Sequence, residues 1–165
     1  IHGAAYLGAS CVRAFRLAVA MISNDDNKEG TNISDCWAYC QGIVGLLGKG
    51  LAHADVAIIK SCSNGLVIAF SYDSRDAPVL DQKLFDSMAV ALDSMNSALK
   101  KYSSIDHAEP TLASSLIKAA GLLLAASTSG AGSVSNKSNG SIDLGPARLQ
   151  CTEALFAILG RLETI

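Results

Sequence analysis

Aromatic side chains are scarce in this chain, with four Phe, four Tyr and one Trp among 165 residues. Charge is scarce as well: Asp, Glu, Lys and Arg make up only 17% of the residues, and the net charge is −2. Small-molecule pockets are walled mostly by aromatic and large apolar side chains. So thin an aromatic supply speaks against an enzyme built around one. A nucleic-acid groove needs clustered Lys and Arg to displace phosphate counterions, and the 13 basic residues form no block. A nucleic-acid partner is therefore not expected. Long apolar runs are missing too. The longest uncharged stretch, Ala119 to Asn136, turns into Ser, Thr and Gly halfway, short of the ~20 apolar residues that a membrane span requires.

Motifs that carry chemistry are also wanting. Gly45-Leu46-Leu47-Gly48-Lys49-Gly50 has the look of a phosphate loop, but Ile43 stands where the first Gly belongs and Gly50 where a hydroxyl must reach magnesium. Nucleophilic catalysis needs a Ser or Cys beside an oriented base. His2, His53 and His107 fall at helix starts or turns, where capping is the simpler role, and no Gly-x-Ser-x-Gly elbow accompanies them. Asp25-Asp26 lies in a polar loop, and Asp73 and Asp76 flank Arg75 at a turn. None of these reads as an active site, so no catalytic, cofactor or metal residues are expected and the chain is read as not an enzyme.

The five cysteines are an odd number. Cys36 and Cys40, four apart, share a helix face, but no second Cys or His pair completes a metal site, so both read as buried structural thiols. Cys11, Cys62 and Cys151 read as small core hydrophobes. Free thiols suit a reducing compartment, which makes a cytoplasmic location the expectation. Sequons at Asn32, Asn136 and Asn139 fall in Ser- and Asn-rich stretches, where they arise by chance.

What the chain does have is helical periodicity, on a composition that is half hydrophobic and rich in Ala, Gly, Ser and Leu. A first helix is expected over Ala4 to Ser23 with Leu7, Cys11, Ala14, Ala18, Met21 and Ile22 on one face. Arg13 and Arg16 are taken as its solvated side. A second, capped by Ser34 or Asp35, runs from about Cys36 to Ala52 with Tyr39, Ile43, Leu46, Leu47 and Leu51 as its stripe. Gly42, Gly45 and Gly48 recur along it; each costs a helix ~1 kcal/mol relative to Ala, so another helix should cross close by. The third, about Asp55 to Tyr72, is apolar nearly all round. Its thin polar strip is Lys60, Asn64 and Ser71. The fourth is the most amphipathic: Asp76 caps it, Pro78 sits in its first turn, and Leu80, Leu84, Met88, Ala91, Leu92, Met95 and Leu99 follow at steps of three and four. The fifth begins near Pro110, ends near Ser127, and has the polar strip Ser114, Ser115 and Lys118. Residues Thr128 to Ile142 are dominated by Ser, Gly and Asn and are expected to form a flexible loop. A sixth helix follows, capped by Asp143, with Pro146 in its first turn and Cys151, Leu155, Ile158, Leu159 and Leu162 as its stripe.

A short phrase recurs in these helices. It reads Ser10-Cys11-Val12-Arg13-Ala14-Phe15, then Ser61-Cys62-Ser63-Asn64-Gly65-Leu66, with weaker echoes starting at Ile117 and Gln150. His53-Ala54-Asp55 and His107-Ala108-Glu109 lead into two of the helices. The echoes are spaced irregularly: 51 positions from Ser10 to Ser61, 56 from there to Ile117 and 33 on to Gln150. Second and fourth helices read as outer, third and fifth as inner. This alternation resembles the HEAT and armadillo families of helical repeats, and within that class it is similar to very large scaffolds of the focadhesin type. The resemblance implies an all-α fold of stacked antiparallel helix pairs, a section of α-solenoid. The whole of residues 1–165 would then be one helical-repeat segment of a larger protein, since both ends fall in helices without polar capping repeats.

On that reading the chain is a non-enzymatic scaffold whose partners are other proteins and flanking repeats of the same chain. Partner contacts would come from the polar strips, at Lys60, Asn64 and Lys118. The rival readings are a compact helical bundle enclosing a small-ligand or catalytic pocket, and a purely structural spacer.

Overall fold

A computed structural model describes residues 2–22, 32–71, 84–103, 110–129 and 144–162. Among these residues all regular structure is helical: α1 (His2–Ile22), α2 (Asn32–Leu51), α3 (Val56–Phe70), α4 (Phe85–Ser103), α5 (Pro110–Ser129) and α6 (Gly145–Leu162). The expected caps Asp76 and Asp143, the fourth-helix residues Pro78 and Leu80, and most of the expected loop at 128–142 lie outside the described residues. Residues 128 and 129 belong to α5.

Local chemistry accounts for the helix ends. Asp55 holds an extended backbone (φ −81°, ψ 120°), and its Oδ1 accepts from the Ala57 N–H at 2.8 Å. His53 lends Nδ1 to the Asp55 N–H at 3.0 Å, so this histidine shapes the turn into α3. Such capping occupies backbone donors that have no partner inside the helix. Pro110 opens α5 and Pro146 lies in the first turn of α6, where a missing N–H costs nothing. At the other end of the second helix, the Ala52 and His53 N–H groups turn back to Lys49 and Gly50 carbonyls. That helix starts at Asn32, earlier than expected, which puts Asp35 in its first turn and not at its cap.

Each helix packs on the helix two further along, and chain neighbours pack together as well, except α3 and α4, which do not touch among the described residues. The odd helices α1, α3 and α5 form one row, and the even helices α2, α4 and α6 form a second row laid against it. Within a row the helices run parallel: Lys60 meets Thr111 and Asn64 meets Ser115, a constant step from α3 to α5. Chain neighbours α1 and α2 run antiparallel. The would-be Cβ of Gly8 lies 3.2 Å from Ile43, while Phe15 meets Trp37 edge to face at 4.9 Å.

The fourth helix, expected on the outside, is among the best buried: Leu84, Met88, Ala91, Leu92, Met95 and Leu99 are all inaccessible to solvent. It lies between α2 and α6 and against α5, so three neighbours cover it. Its expected stripe is therefore right, and Asp86, Asp93 and Lys100 on its other side are exposed. By length and composition Pro110–Ser127 could cross a membrane. Yet α5 packs against α3, α4 and α6 and buries Leu112, Leu116, Ala119, Ala120, Leu123 and Ala126.

The first helix is turned the other way from its expected orientation. Leu7 is 70% exposed, and Cys11, Ala14 and Ala18 are exposed with it. The buried face is instead Ala9, Val12 and Arg16. Both faces carry small apolar residues, so only the neighbours choose between them. In α2 the outcome is divided: Leu47 and Leu51 are buried as expected, with Trp37, Cys40 and Val44, whereas Tyr39 and Leu46 face outward. The most exposed large apolar residues, Leu7, Tyr39, Leu46, Leu149 and Phe156, belong to α1, α2 and α6, helices that end the rows, while Val56 of α3 and Val90 of α4 in the middle of the rows are exposed to a lesser degree.

The recurring phrase does not mark equivalent positions. Ser10 and Cys11 are exposed while Ser61 and Cys62 are buried, and α3 and α5 are matched by a step of 51 positions, from Lys60 to Thr111, and not by the 56 of the echo.

Candidate functional site

A continuous polar line crosses the odd row, and the residues singled out from the sequence lie on it. Asn64, in the middle of α3, donates through Nδ2 to the Tyr6 hydroxyl of α1 at 3.1 Å. Through Oδ1 it accepts from the Ser115 hydroxyl of α5 at 2.8 Å. One turn earlier the Lys60 ammonium donates to Thr111 Oγ1 at 2.9 Å. Lys118 is exposed one turn beyond Ser115, on the same side of α5. The spacing of three and four residues places these groups together: Lys60 and Asn64 on α3, Thr111, Ser115 and Lys118 on α5. The structure thus brings Lys60 and Asn64 together and sets Lys118 beside them. Tyr6 and Thr111 were not foreseen. Ser115 belonged to the expected polar strip of α5, but nothing local in the sequence tells that it answers Asn64.

Asn64 is the row's tie. With both ends of its amide engaged it links all three helices. Each such bond contributes about 1 kcal/mol net, so Asn64→Ala is expected to cost about 2 kcal/mol. A double-mutant cycle pairing Asn64→Ala with Ser115→Ala should give a coupling energy near 1 kcal/mol. Additive effects would show that the two side chains do not support each other.

At the α1 end the line opens into a cleft of about 550 Å³ lined by His2, Tyr6, Asp55, Val56, Lys60 and Asn64, with Ser61 at its base. Ser61 and His2 are hydrogen-bonded there. The Ser61 hydroxyl also donates to the Ala57 carbonyl at 2.7 Å, one turn back in its own helix. A hydroxyl has one proton. With that proton on Ala57, Ser61 accepts from His2, which is the reverse of an activated nucleophile. A second cleft, of about 530 Å³, lies between α5 and α6 beside Leu124, Arg148, Leu149 and Thr152.

Arg16 corrects the expectation of a solvated face: it is only 2% exposed. Its Nη1 donates to the Ala69 carbonyl in the last turn of α3, and the guanidinium lies 4.9 Å above the Phe70 ring. Carbonyls in a last helical turn lack intrahelical partners and carry the negative end of the helix dipole. The buried cation therefore caps α3 from the neighbouring helix.

The thiols divide by burial. Cys40, Cys62 and Cys151 are buried, as expected, whereas Cys11 and Cys36, expected to be buried with them, are exposed, so neither is a core residue. Cys36 and Cys40 share a side of α2 but not an environment. Among the described residues no group of three His, Cys, Asp or Glu side chains is placed to hold a metal ion. Burial pushes the Cys40 thiol up from 9.0 to about 11, with the neighbouring Cys36 and Cys11 adding to the rise and Arg16 opposing it. Burial alone raises Cys151 to about 11 and moves Cys62 the same way. Thiolates react and thiols do not. Maleimide titration followed by mass spectrometry should label Cys11 and Cys36 in the native chain and all five cysteines only after unfolding. The same shifts set an alkaline limit. A thiol whose folded pKa is raised stabilises the fold below pH 9.0, and that stability drains away as pH climbs from 9.0 towards about 11. Denaturation midpoints should accordingly fall over this window.

No protein-family model, curated protein or solved structure matches this chain.

Proposed function

We propose that this chain is a section of α-solenoid, built of HEAT/armadillo-like helix pairs, that serves as a non-enzymatic scaffold for protein partners. The observation that carries the reading is the pairing of each helix with the helix two further along, in two rows of parallel helices crossed by one polar line. Stacked pairs present a surface as long as the row, suited to distributed contacts with a partner. Lys60, Asn64 and Lys118 mark that surface on the odd row. Apolar side chains exposed on α1, α2 and α6 support a second element of the proposal, that further helix pairs cover the row ends, as in scaffolds of the focadhesin type. A cytoplasmic site of action follows from the free-thiol argument and belongs to the same proposal.

A display library of random peptides selected against the chain tests this reading. Binders should protect α3 and α5 amides from hydrogen exchange and compete with one another for the odd row. Failure to select any binder, or binders that map only to the even row, would overturn it. The cleft beside His2 and Lys60, like the one between α5 and α6, has the size of a small-ligand site and favours a pocket-bearing bundle. On that alternative, small molecules selected against the chain would raise its Tm and protect Tyr6 and Val56 without displacing peptides from α5.

A further inference from the structure

We infer that the chain stacks head to tail on a second copy of itself, with α1 and α2 of one molecule covering α5 and α6 of the next. The inference rests on the solenoid part of the reading above and names what covers the row ends. Tyr6 and Arg16 turn α1 towards α3. Ala4, Leu7, Cys11, Ala14 and Ala18 are left exposed on the side that faces away from the row. They follow one another at steps of three and four, none is charged, and Leu7 is the one large side chain among them. In α2 the exposed Tyr39, Gly42 and Leu46 continue the same end. At the other end α6 exposes Leu149 and Phe156, and α5 presents Gly121 between the half-buried Ile117 and Leu124.

The packing pattern fixes where the second copy sits. Helix α3 rests on both α1 and α2, and α5 rests on both α3 and α4. A further odd helix would by the same rule rest on α5 and α6, over the cleft of about 530 Å³ between them. Leu124, Ala125, Leu149 and Thr152 line that cleft. Arg148 on its wall donates to the Ser127 carbonyl at 3.4 Å, as the buried Arg16 donates to Ala69 at the end of α3. A helix with a small, uncharged contact face and one leucine to enter the gap suits this seat, and α1 of a second copy has that face. Its α2 then falls on α6 and extends the even row. There Phe156 would meet Gly42, where nothing lies within 4 Å of an added Cβ. The even row is already joined in this manner inside the molecule, where Gly48 of α2 takes the Ala91 backbone of α4. The parallel order within a row supplies the polarity that such a continuation needs. A contact between two different surfaces does not close on itself, so copies add one after another.

The test is sedimentation velocity of the 165-residue chain over a range of concentrations. Its average mass should climb past that of a dimer as concentration rises, and added salt should not reverse this, because the faces are apolar. Leu7→Glu blocks one end and Phe156→Glu the other. Each puts an unpaired carboxylate into an apolar contact and should weaken association about a hundredfold. A mixture of the two variants should form one-to-one dimers and stop there, because each keeps the face that the other lacks. Val90→Glu, in the middle of the even row, should associate as the parent does. All three positions are exposed, and circular dichroism checks that the variants fold. A parent that stays monomeric would overturn the inference and assign the end faces to another partner. Variants that associate unchanged, a mixture that stays monomeric, or a parent that stops at a dimer would overturn it as well. A monomeric parent whose odd row still selects peptides leaves the scaffold reading standing. Peptides that map only to the even row, with stacking intact, remove the scaffold reading and leave this inference.

Discussion

Arg16→Ala is expected to destabilise the chain by about 3 kcal/mol, measured by denaturant unfolding at 222 nm. Two losses combine. The Ala69 carbonyl, on a residue with no accessible surface, loses a charged donor at the end of α3, and the stem that packs beside Phe70 leaves a cavity. Opposing them is relief of the cost of burying a guanidinium, which can equal what such a group contributes. The cavity and the orphaned carbonyl act together in Arg16→Ala, so the loss should win. Arg16→Met separates the terms, because it fills most of the space and removes the charge and the donors. A cost near 2 kcal/mol for Arg16→Met would show that the bond to Ala69 matters in itself. A variant as stable as the parent would show the buried charge to be a net burden. Arg13→Ala, at a half-buried position on the same helix, should cost under about 1 kcal/mol.

Gly48→Leu should be at least as damaging, at about 3 kcal/mol or more. A Cβ at residue 48 would lie 2.9 Å from the Ala91 Cα and 3.2 Å from its backbone nitrogen. Backbone cannot swing aside as a side chain can, so α2 and α4 would have to separate along the seam that joins the even row. The neighbouring glycines behave oppositely. Nothing lies within 4 Å of a Cβ at Gly42 or Gly45, and Gly42→Ala or Gly45→Ala should stabilise α2 by up to about 1 kcal/mol each. Thermal unfolding of the three single variants checks the pattern. A stabilising Gly48→Ala would mean that the two helices do not cross so closely.

These glycines show how far local reasoning reaches. Their spacing announced that a helix would cross α2, and one does, but at Gly48 alone. A period of three residues sets a row of small side chains on the helix surface; where along that row the partner touches depends on the crossing point. Gly50 and Gly65 approach Cys62 and Leu47 closely as well, with no periodicity to announce them. The candidate site divides in the same way. Lys60, Asn64 and Lys118 stood out as polar residues on otherwise apolar helices. Tyr6, Thr111 and Ser115, which answer them, come from helices more than 50 positions away in the chain, and of the three only Ser115, on the polar strip of α5, carried a local mark.

By itself the sequence determined the all-helical class, the approximate helix spans and the buried stripe of α4, because a strong 3.6-residue period admits one inward face. Only the tertiary structure decided which side of α1 turns in, where a stripe through Leu7 and Cys11 competes with one through Ala9 and Val12. It also decided that Arg16 is buried and that α4 lies deep in the even row. The physical reason is common to all three. Burial belongs to a helix and its neighbours together, and a helix with apolar residues on two sides cannot specify alone which side they will cover.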